Sequence, residues 1–396
     1  MSLVESMFPR RLGLVSDPLL EVIAGQALEA DRTRSVAPGV ISAIKGSDLI
    51  RYTACRALGG IEGTVLAAGE ELEAVASACA STAWCLWNHM CVFHHYCTLF
   101  GPAAEQLLGG IVSAREWVTY PNGAGTAATG RLEGDEWVID GKVTFASGAR
   151  YGEWAMVMFS HEAAGSETRA LSHTLVRLET PGVTIVPTWD GSAVRASATD
   201  DVILESVRTP AALARPFFVD YAAQARAAEW PSIDERYRED WAGLSSLWLA
   251  AQATGAGIAA LGDAAEQATR RRAIFGVPMA QRPNVQTHLG EAAGLLAAAR
   301  ATWMAGAAET DARIARCEPP EETDQVRHFA LASASLRQTG QAFQLLLRVL
   351  GGNGLRESGT FERRWRDYQA MSVHIISHPD RVDEMTGKWL LGVARQ

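Results

Sequence analysis

The stretch YPNGAGTAATGRLEGDEWVIDGKVTFASGARYGEW, residues 120–154, breaks the texture of the chain on either side of it. It reads as a strand, a turn, a second strand and then a small polar pause, Ala146-Ser147-Gly148, ending at Trp154. Short β-branched and aromatic runs punctuated by Gly, Pro and Asp continue it: WAMVMFS (154–160), HTLVRLE (173–179) and VTIVPTW (183–189). Such runs predict an antiparallel sandwich or barrel over about 117 to 210.

The sequence on both sides is helical. Residues 16–110 are rich in Ala, Leu and Glu, and in LEAVASACASTAWCLWNHM (72–90) the residues Leu72, Val75, Ala76 and Cys79 share a face. From 242 onward Leu244, Leu247, Trp248, Ala251, Ile258 and Leu261 keep a helix stripe, and residues 284–317 read as a second long helix. The predicted fold is α+β: an N-terminal helical domain (1–116), a middle β-domain (117–215) and a C-terminal helical bundle (242–396). The aromatic segment 216–241 between the last two reads as a loop or lid.

Composition narrows the function. The chain has 36 Lys+Arg against 45 Asp+Glu, a net charge of -9, and its densest basic run is Arg270-Arg271-Arg272, too short for a nucleic-acid stripe. The sequence shows no signal-peptide layout and no apolar run near the roughly 20 residues of a membrane span. The expectation is a soluble, cytoplasmic protein. Cys79, Cys85, Cys91 and Cys97 recur every six residues, which turns a helix by about 240°, so their thiols diverge and read as buried, reduced cysteines. GAGIAALG (255–262) imitates a dinucleotide fingerprint but follows a helical run, SSLWLAAQAT, rather than a strand. Close helix packing explains it better, which leaves the chain without a nicotinamide site.

Several residues are candidates for chemistry. Ser147 sits at the polar pause. WDGSAVRASATDDVILESVRTP (189–210) is a turn and strand carrying Arg195 and Asp201. Arg272, three residues before Phe275-Gly276, suits a phosphate or pyrophosphate, and LGGNG (350–354) permits close backbone approach. WRDYQAMSVHIISHPDR (365–381) carries His374 and His378 at an expected helix end before Pro379. His378 reads as a C-terminal cap favoured by the helix dipole. A zinc site on His374 and His378 would need a third ligand, and the chain has no H-E-x-x-H pattern.

Taken in order, G-K-x-x-F-x-S-G, R-A-S-A-T-D-D-V, V-R-T-P, R-x-x-F-G, Q-T-H-L-G-E-A and L-G-G-N-G resemble the acyl-CoA dehydrogenase superfamily over essentially the whole chain. The resemblance implies a four-helix bundle at the C-terminus, a flavin between β-domain and bundle, and a homotetramer. Two departures select a branch. No acidic residue lies between Asp367 and Asp380, where dehydrogenases keep a glutamate base, and TYPNGAGTA (119–127) lacks their glutamate and aspartate. P-N-G, F-A-S-G and R-D-x-Q-A-x-x-x-H are instead similar to the flavin-dependent monooxygenases of this fold, such as two-component phenol hydroxylases, dibenzothiophene monooxygenases and amino-sugar N-oxygenases.

That branch implies that reduced FMN or FAD, delivered by a separate NAD(P)H-flavin reductase, captures O2 as a C4a-hydroperoxide that oxygenates a small aromatic or heteroaromatic substrate. It assigns His374 as acid or base and Ser147 beside the flavin N5 edge. It places Asn122, Arg272, Gly351, Gly352, Asn353 and Gly354 among the flavin contacts. It also selects His94, followed two residues on by Tyr96. Helical geometry points elsewhere: Trp84, Trp87, Asn88, Cys91 and His95 share one face, and His94 lies about 80° away. The rival expectations are a dehydrogenase or flavin oxidase with a displaced base, and a non-catalytic scaffold on the same fold.

Overall fold

The computed structural model describes residues 3–11, 13–99, 104–121, 123, 125–162, 169–216 and 234–393. The first domain comprises α1 (Leu3–Met7), α2 (Asp17–Thr33), α3 (Pro38–Gly46), α4 (Val65–Ala78), α5 (Ala80–Leu99) and α6 (Glu105–Ala114). Its caps follow from sequence. Ser16 accepts from the Leu19 amide at the start of α2, and Thr64 accepts from the Ala67 amide at the start of α4. The 72–90 run, helical throughout by periodicity, breaks at Cys79, whose φ of -152° and ψ of 111° redirect the chain between α4 and α5. The amide of Cys79 still donates to Val75 and its carbonyl still accepts from Ala83, so the break costs little hydrogen bonding.

The middle domain holds β1 (Val118–Thr119), β2 (Ala127–Glu133), β3 (Glu136–Ala146), β4 (Trp154–Glu162), β5 (Arg169–Arg177), β6 (Val183–Val186), β7 (Asp200–Pro210) and β8 (Arg215–Pro216). They form one sheet in the order β6-β7-β3-β2-β4-β5-β8, with β1 paired to β4. The sheet is mixed rather than purely antiparallel: β1 and β2 both run parallel to β4. It folds over on itself, so that Thr174 of β5 and Thr209 of β7, not neighbours in the ladder, share a buried hydroxyl hydrogen bond of 3.0 Å. Ile139, Val143, Val157, Phe159, Val202 and Leu204 fill the space between.

The bundle comprises α7 (Trp241–Arg270), α8 (Pro283–Ala315), α9 (Glu322–Leu350), α10 (Thr360–Ser372) and α11 (Pro379–Leu390). Asp240 caps α7 by accepting from the amides of Ala242 and Gly243. Contrary to the sequence reading, α7 is long and apolar enough to cross a membrane, but 89% of its apolar window is buried among other helices, as in the core of a bundle. GAGIAALG lies in the middle of α7 and serves close packing. A Cβ on Gly255 would lie 2.2 Å from the Glu73 carbonyl oxygen of α4, and one on Gly257 would lie 2.6 Å from Leu296 of α8.

This contact makes opposite predictions for two glycines of one helix. Alanine in place of glycine gains about 1 kcal/mol of helix propensity. At Gly262, where a Cβ would meet nothing within 4 Å, Gly262→Ala should raise the melting temperature. At Gly255 the clash is with backbone, and overpacking of about 1–3 kcal/mol outweighs the gain, so Gly255→Ala should lower it. Thermal unfolding of the two variants checks both signs.

Candidate active site

The site forms where α5, the end of β3, the turn before β7 and the turn after α10 converge. β3 carries a bulge between Val143 and Ala146, and within it Phe145 is left-handed, with φ of 62°. The bulge throws Phe145 outward, 49% exposed, and turns Ser147 in. Ser147 is then gripped on all sides. Thr119 Oγ1 donates to its carbonyl at 2.6 Å, and Trp84 Nε1 of α5 donates to its hydroxyl at 3.0 Å. Its hydroxyl also lies 2.8 Å from Thr199 Oγ1.

Trp84 connects Ser147 to His374. The His374 ring stands edge-on to Trp84 and Trp87, with ring centroids 5.3 and 5.2 Å away. The two indoles touch each other at 5.2 Å, and Trp87 Nε1 donates to the Ser245 carbonyl of α7. His374 Nδ1 accepts from the Ile376 amide at 3.3 Å, which places the neutral ring's proton on Nε2. The residue is half-buried, yet its imidazole is walled by indoles, and this desolvation pulls its pKa down to about 4. At pH 7 it is a neutral hydrogen-bonding group.

The histidine lies beyond the helix that leads to it. α10 ends at Ser372, His374 occupies the following turn, and Pro379 begins α11 with His378 as its N-cap. His378 is therefore at the positive end of a helix, the reverse of the C-terminal cap expected. A proline at the first helical position opens a helix as readily as an internal one ends it.

The other candidates separate. His94 packs against Tyr237 and Trp248, with centroids 5.0 and 6.1 Å away, and burial holds its pKa at about 3. The structure does not bring it to Trp84, Ser147 or His374. His95, on the Trp84 face of α5, meets Trp241 and His173 instead. Asn122 and most of the 216–241 segment lie outside the described residues. Arg272 is exposed and donates to the Gly276 carbonyl at 2.8 Å, while its neighbour Arg271 reaches the Leu350 carbonyl at 3.2 Å. Arg272 thus shares a surface with the Gly351–Gly354 turn, where Gly351 has φ of 59° and both Gly351 and Gly352 face open space. That surface lies at the start of α10 and His374 beyond its end, roughly 20 Å apart for 13 residues at about 1.5 Å each.

Sequence reasoning passed over Trp84, Phe145 and Thr199 as site residues. Phe145 and Thr199 stood inside quoted motifs, and Trp84 was placed on the correct helix face. What was missing was the bulge, which no periodicity reveals.

Among the described residues, several buried carboxylates are already partnered. Asp31 and Glu362 pair with Arg366, Asp200 with Arg150, Glu73 with Arg300 and Glu239 with Arg313. Asp367 accepts from the Val194 amide and the Ser81 hydroxyl. Each of these buried carboxylates has its own partner, and none bonds to Trp84, Ser147 or His374. The site offers hydroxyl, indole and neutral imidazole groups. With exposed Phe145 lying against Gly123 and Trp189, these suit a flat aromatic ring that carries hydrogen-bonding atoms on its edge, as a flavin does.

A helical domain, a folded sheet and a helical bundle, in this order, make an acyl-CoA dehydrogenase-like fold. Residues 247–379 match the family of acyl-CoA dehydrogenase C-terminal domains. The mitochondrial short-chain specific acyl-CoA dehydrogenase of Mus musculus is 26% identical over 322 residues, covering 76% of this chain and 70% of that protein. The oxygenase subunit HsaA of Rhodococcus jostii, a flavin-dependent monooxygenase, is 23% identical over 384 residues, covering 95% and 97%. The structure of XiaF from Streptomyces, in complex with FADH2 and glycerol, superimposes with a TM-score of 0.86 at 19% identity, covering 95% and 94%.

The pKa of His374 gives a direct check. Because its folded value is depressed below the ordinary value of about 6.5, its contribution to stability is fully present above about pH 6.5 and is lost as pH falls toward 4. In NMR titrations the His374 ring signals, assigned by loss in His374→Gln, should stay flat from pH 8 to 5.5. A midpoint near 6.5 would contradict the desolvated ring.

Proposed function

We propose that this chain is the oxygenase of a two-component flavin-dependent monooxygenase. It takes reduced FMN or FAD from a separate NAD(P)H-flavin reductase and uses O2 to oxygenate a small aromatic or heteroaromatic substrate. The observation that carries the reading is the junction of Ser147, Trp84 and neutral His374, to which no carboxylate bonds among the described residues. An acyl-CoA dehydrogenase needs a carboxylate base at the substrate, and the first turns of α7, Trp241 to Trp248, carry no acidic side chain. The likeness along nearly the whole of HsaA supports the same reading.

The roles follow from the geometry. Bound reduced flavin supplies the electrons that activate O2. Ser147 presents a hydroxyl to the flavin edge. The indoles of Trp84 and Trp87 keep water from His374, and a dry pocket protects reactive oxygen species from hydrolytic loss. His374, with its proton on Nε2, offers a hydrogen-bond donor to the reacting oxygen or to the substrate.

The assembly and location are part of the proposal. Within one chain, Arg272 and the Gly351–Gly354 turn stand at the far end of α10 from Ser147 and His374. They serve one flavin only when another subunit supplies them. Exposed Ile274, Val277 and Leu355 beside Arg272 offer the apolar contact such a homotetramer needs. The acidic charge balance suits a cytoplasmic enzyme.

Two substitutions test the assignments. In His374→Ala, flavin should still bind, while product yield falls by about 10²-fold or more and hydrogen peroxide release rises. His374→Gln, which keeps an N–H donor, should recover part of the yield if donation is the role. An unchanged product-to-peroxide ratio in the alanine variant would make His374 a packing residue. Arg272→Ala should weaken flavin binding without lowering the melting temperature, by roughly 10- to 100-fold for the loss of one charge-assisted contact. Equal dissociation constants for variant and parent would remove Arg272 from the flavin site.

A further inference from the structure

We propose that Ser197 and Thr199 are positioning residues that aim the Ser147 hydroxyl hydrogen into the site. The inference rests on the flavin reading above and adds to it the direction of a hydrogen-bond chain. Ser197 Oγ lies 2.6 Å from Thr199 Oγ1, which lies 2.8 Å from Ser147 Oγ, which accepts from Trp84 Nε1 at 3.0 Å. An indole can only donate, so one end of the chain is fixed.

Three hydroxyls in a row can point three ways, and if both serines donate to Thr199 the buried Thr199 hydrogen is the one left over. In the first of the other two, Ser147 donates to Thr199 and Thr199 to Ser197, and the Ser197 hydrogen is left over. Ser197 is fully buried, and no further acceptor for its hydroxyl exists among the described residues. An unmet buried donor is costly. In the second, Ser197 donates to Thr199 and Thr199 to Ser147. Ser147 then accepts twice, and the single remaining hydrogen is its own, on the bulge that also exposes Phe145. That hydrogen finds its acceptor on a bound flavin edge or an oxygen held against it. The second arrangement leaves over only the hydrogen that borders the site, which a bound ligand satisfies, and it makes Ser147 the donor toward that ligand.

The backbone is bent to build this chain. Val194 and Ala198, on either side of the turn at Arg195–Ser197, are left-handed, with φ of 42° and 46°. Neither is glycine, and Val194 is β-branched, so both conformations are unfavourable and persist only because neighbours enforce them. Asp367 accepts from the Val194 amide at 2.7 Å, Trp189 Nε1 donates to the Val194 carbonyl at 3.2 Å, and the Gly148 amide donates to the Ser197 carbonyl at 2.8 Å. The turn so held keeps Ser197 Oγ 2.6 Å from Thr199 Oγ1. The turn therefore delivers the Thr199 hydroxyl to Ser147, with the Ser197 hydroxyl behind it.

The test uses the full-length protein and oxidised FMN and FAD as probes, followed by fluorescence titration. Thr199→Val removes the hydroxyl at constant volume, Thr199→Ser restores it, and Ser197→Ala removes the first donor. Thr199→Val should weaken whichever flavin the parent binds by about three- to tenfold. It should also raise peroxide release relative to product. Thr199→Ser should return both readouts to within about twofold of the parent, and Ser197→Ala should shift them in the valine direction by less. Parent-like binding and coupling in Thr199→Val would overturn the directed chain and leave the flavin reading standing. Equal losses in the valine and serine variants would overturn it too, since the hydroxyl would then not be the cause. A parent that binds neither flavin would overturn both.

Discussion

The arrangement of the site depends on one buried acid, Asp367 of α10. One oxygen accepts from the Val194 amide and the other from the Ser81 hydroxyl of α5, while the adjacent Arg366 is paired with Asp31 of α2 and Glu362 and donates to the Ser192 carbonyl. Three elements distant in sequence are thus tied to one helical turn. α5 brings the indoles, the turn before β7 brings the hydroxyls, and α10 leads to His374 two residues past its end. Burial raises the Asp367 pKa to about 6, so its anionic form is held against desolvation by these partners. Cutting such a network at one partner leaves a charge stranded, which typically costs about 3–5 kcal/mol. Its value here is geometric, because it fixes where three domains meet.

On that frame, Trp84 joins the two ends of the chemistry. Its N–H occupies one lone pair of Ser147, and its ring packs against His374. The same indole that excludes water from the imidazole also orders the hydroxyl. Hydrogen bonds strengthen in such a low-dielectric setting, and an unpaired polar atom there is penalised. A pocket that must keep reduced flavin and oxygen together without losing the oxygen as peroxide needs both properties. The neutrality of His374 follows from the same desolvation, and it distinguishes the site from one built around a carboxylate base.

Much of the fold could be read from the chain. The change from helical to β texture near 117 and back near 242 marks the strands from Val118 and the start of α7 at Trp241. The glycines of GAGIAALG were legible as packing residues because a helical run precedes them. The break at Cys79 was not, since its neighbours are all good helix formers and only tertiary contacts bend the chain there. His378 was misplaced because a proline marks a helix start and a helix stop alike. In the candidate site, Ser147 and His374 were singled out through motif and residue type, which sequence carries. Trp84, Phe145 and Thr199 were not, because their roles arise from a bulge and from a left-handed turn that Asp367 of α10 holds at Val194. His94 and His95 show the converse. A motif favoured His94 and the helix periodicity pointed to His95, and the structure packs the first against Tyr237 and Trp248 and the second against Trp241 and His173.

The central claim is that bound reduced flavin in this chain reacts with O2 in a controlled way, rather than serving to dehydrogenate an acyl-CoA. Stopped-flow absorbance of the protein loaded anaerobically with reduced FMN or FAD and mixed with O2 tests it directly. The account predicts a transient absorbing species, distinct from reduced and oxidised flavin, that persists for a resolvable time before the oxidised spectrum appears. Direct conversion to oxidised flavin with no such phase, together with bleaching of bound oxidised flavin by an acyl-CoA under anaerobic conditions, would contradict it.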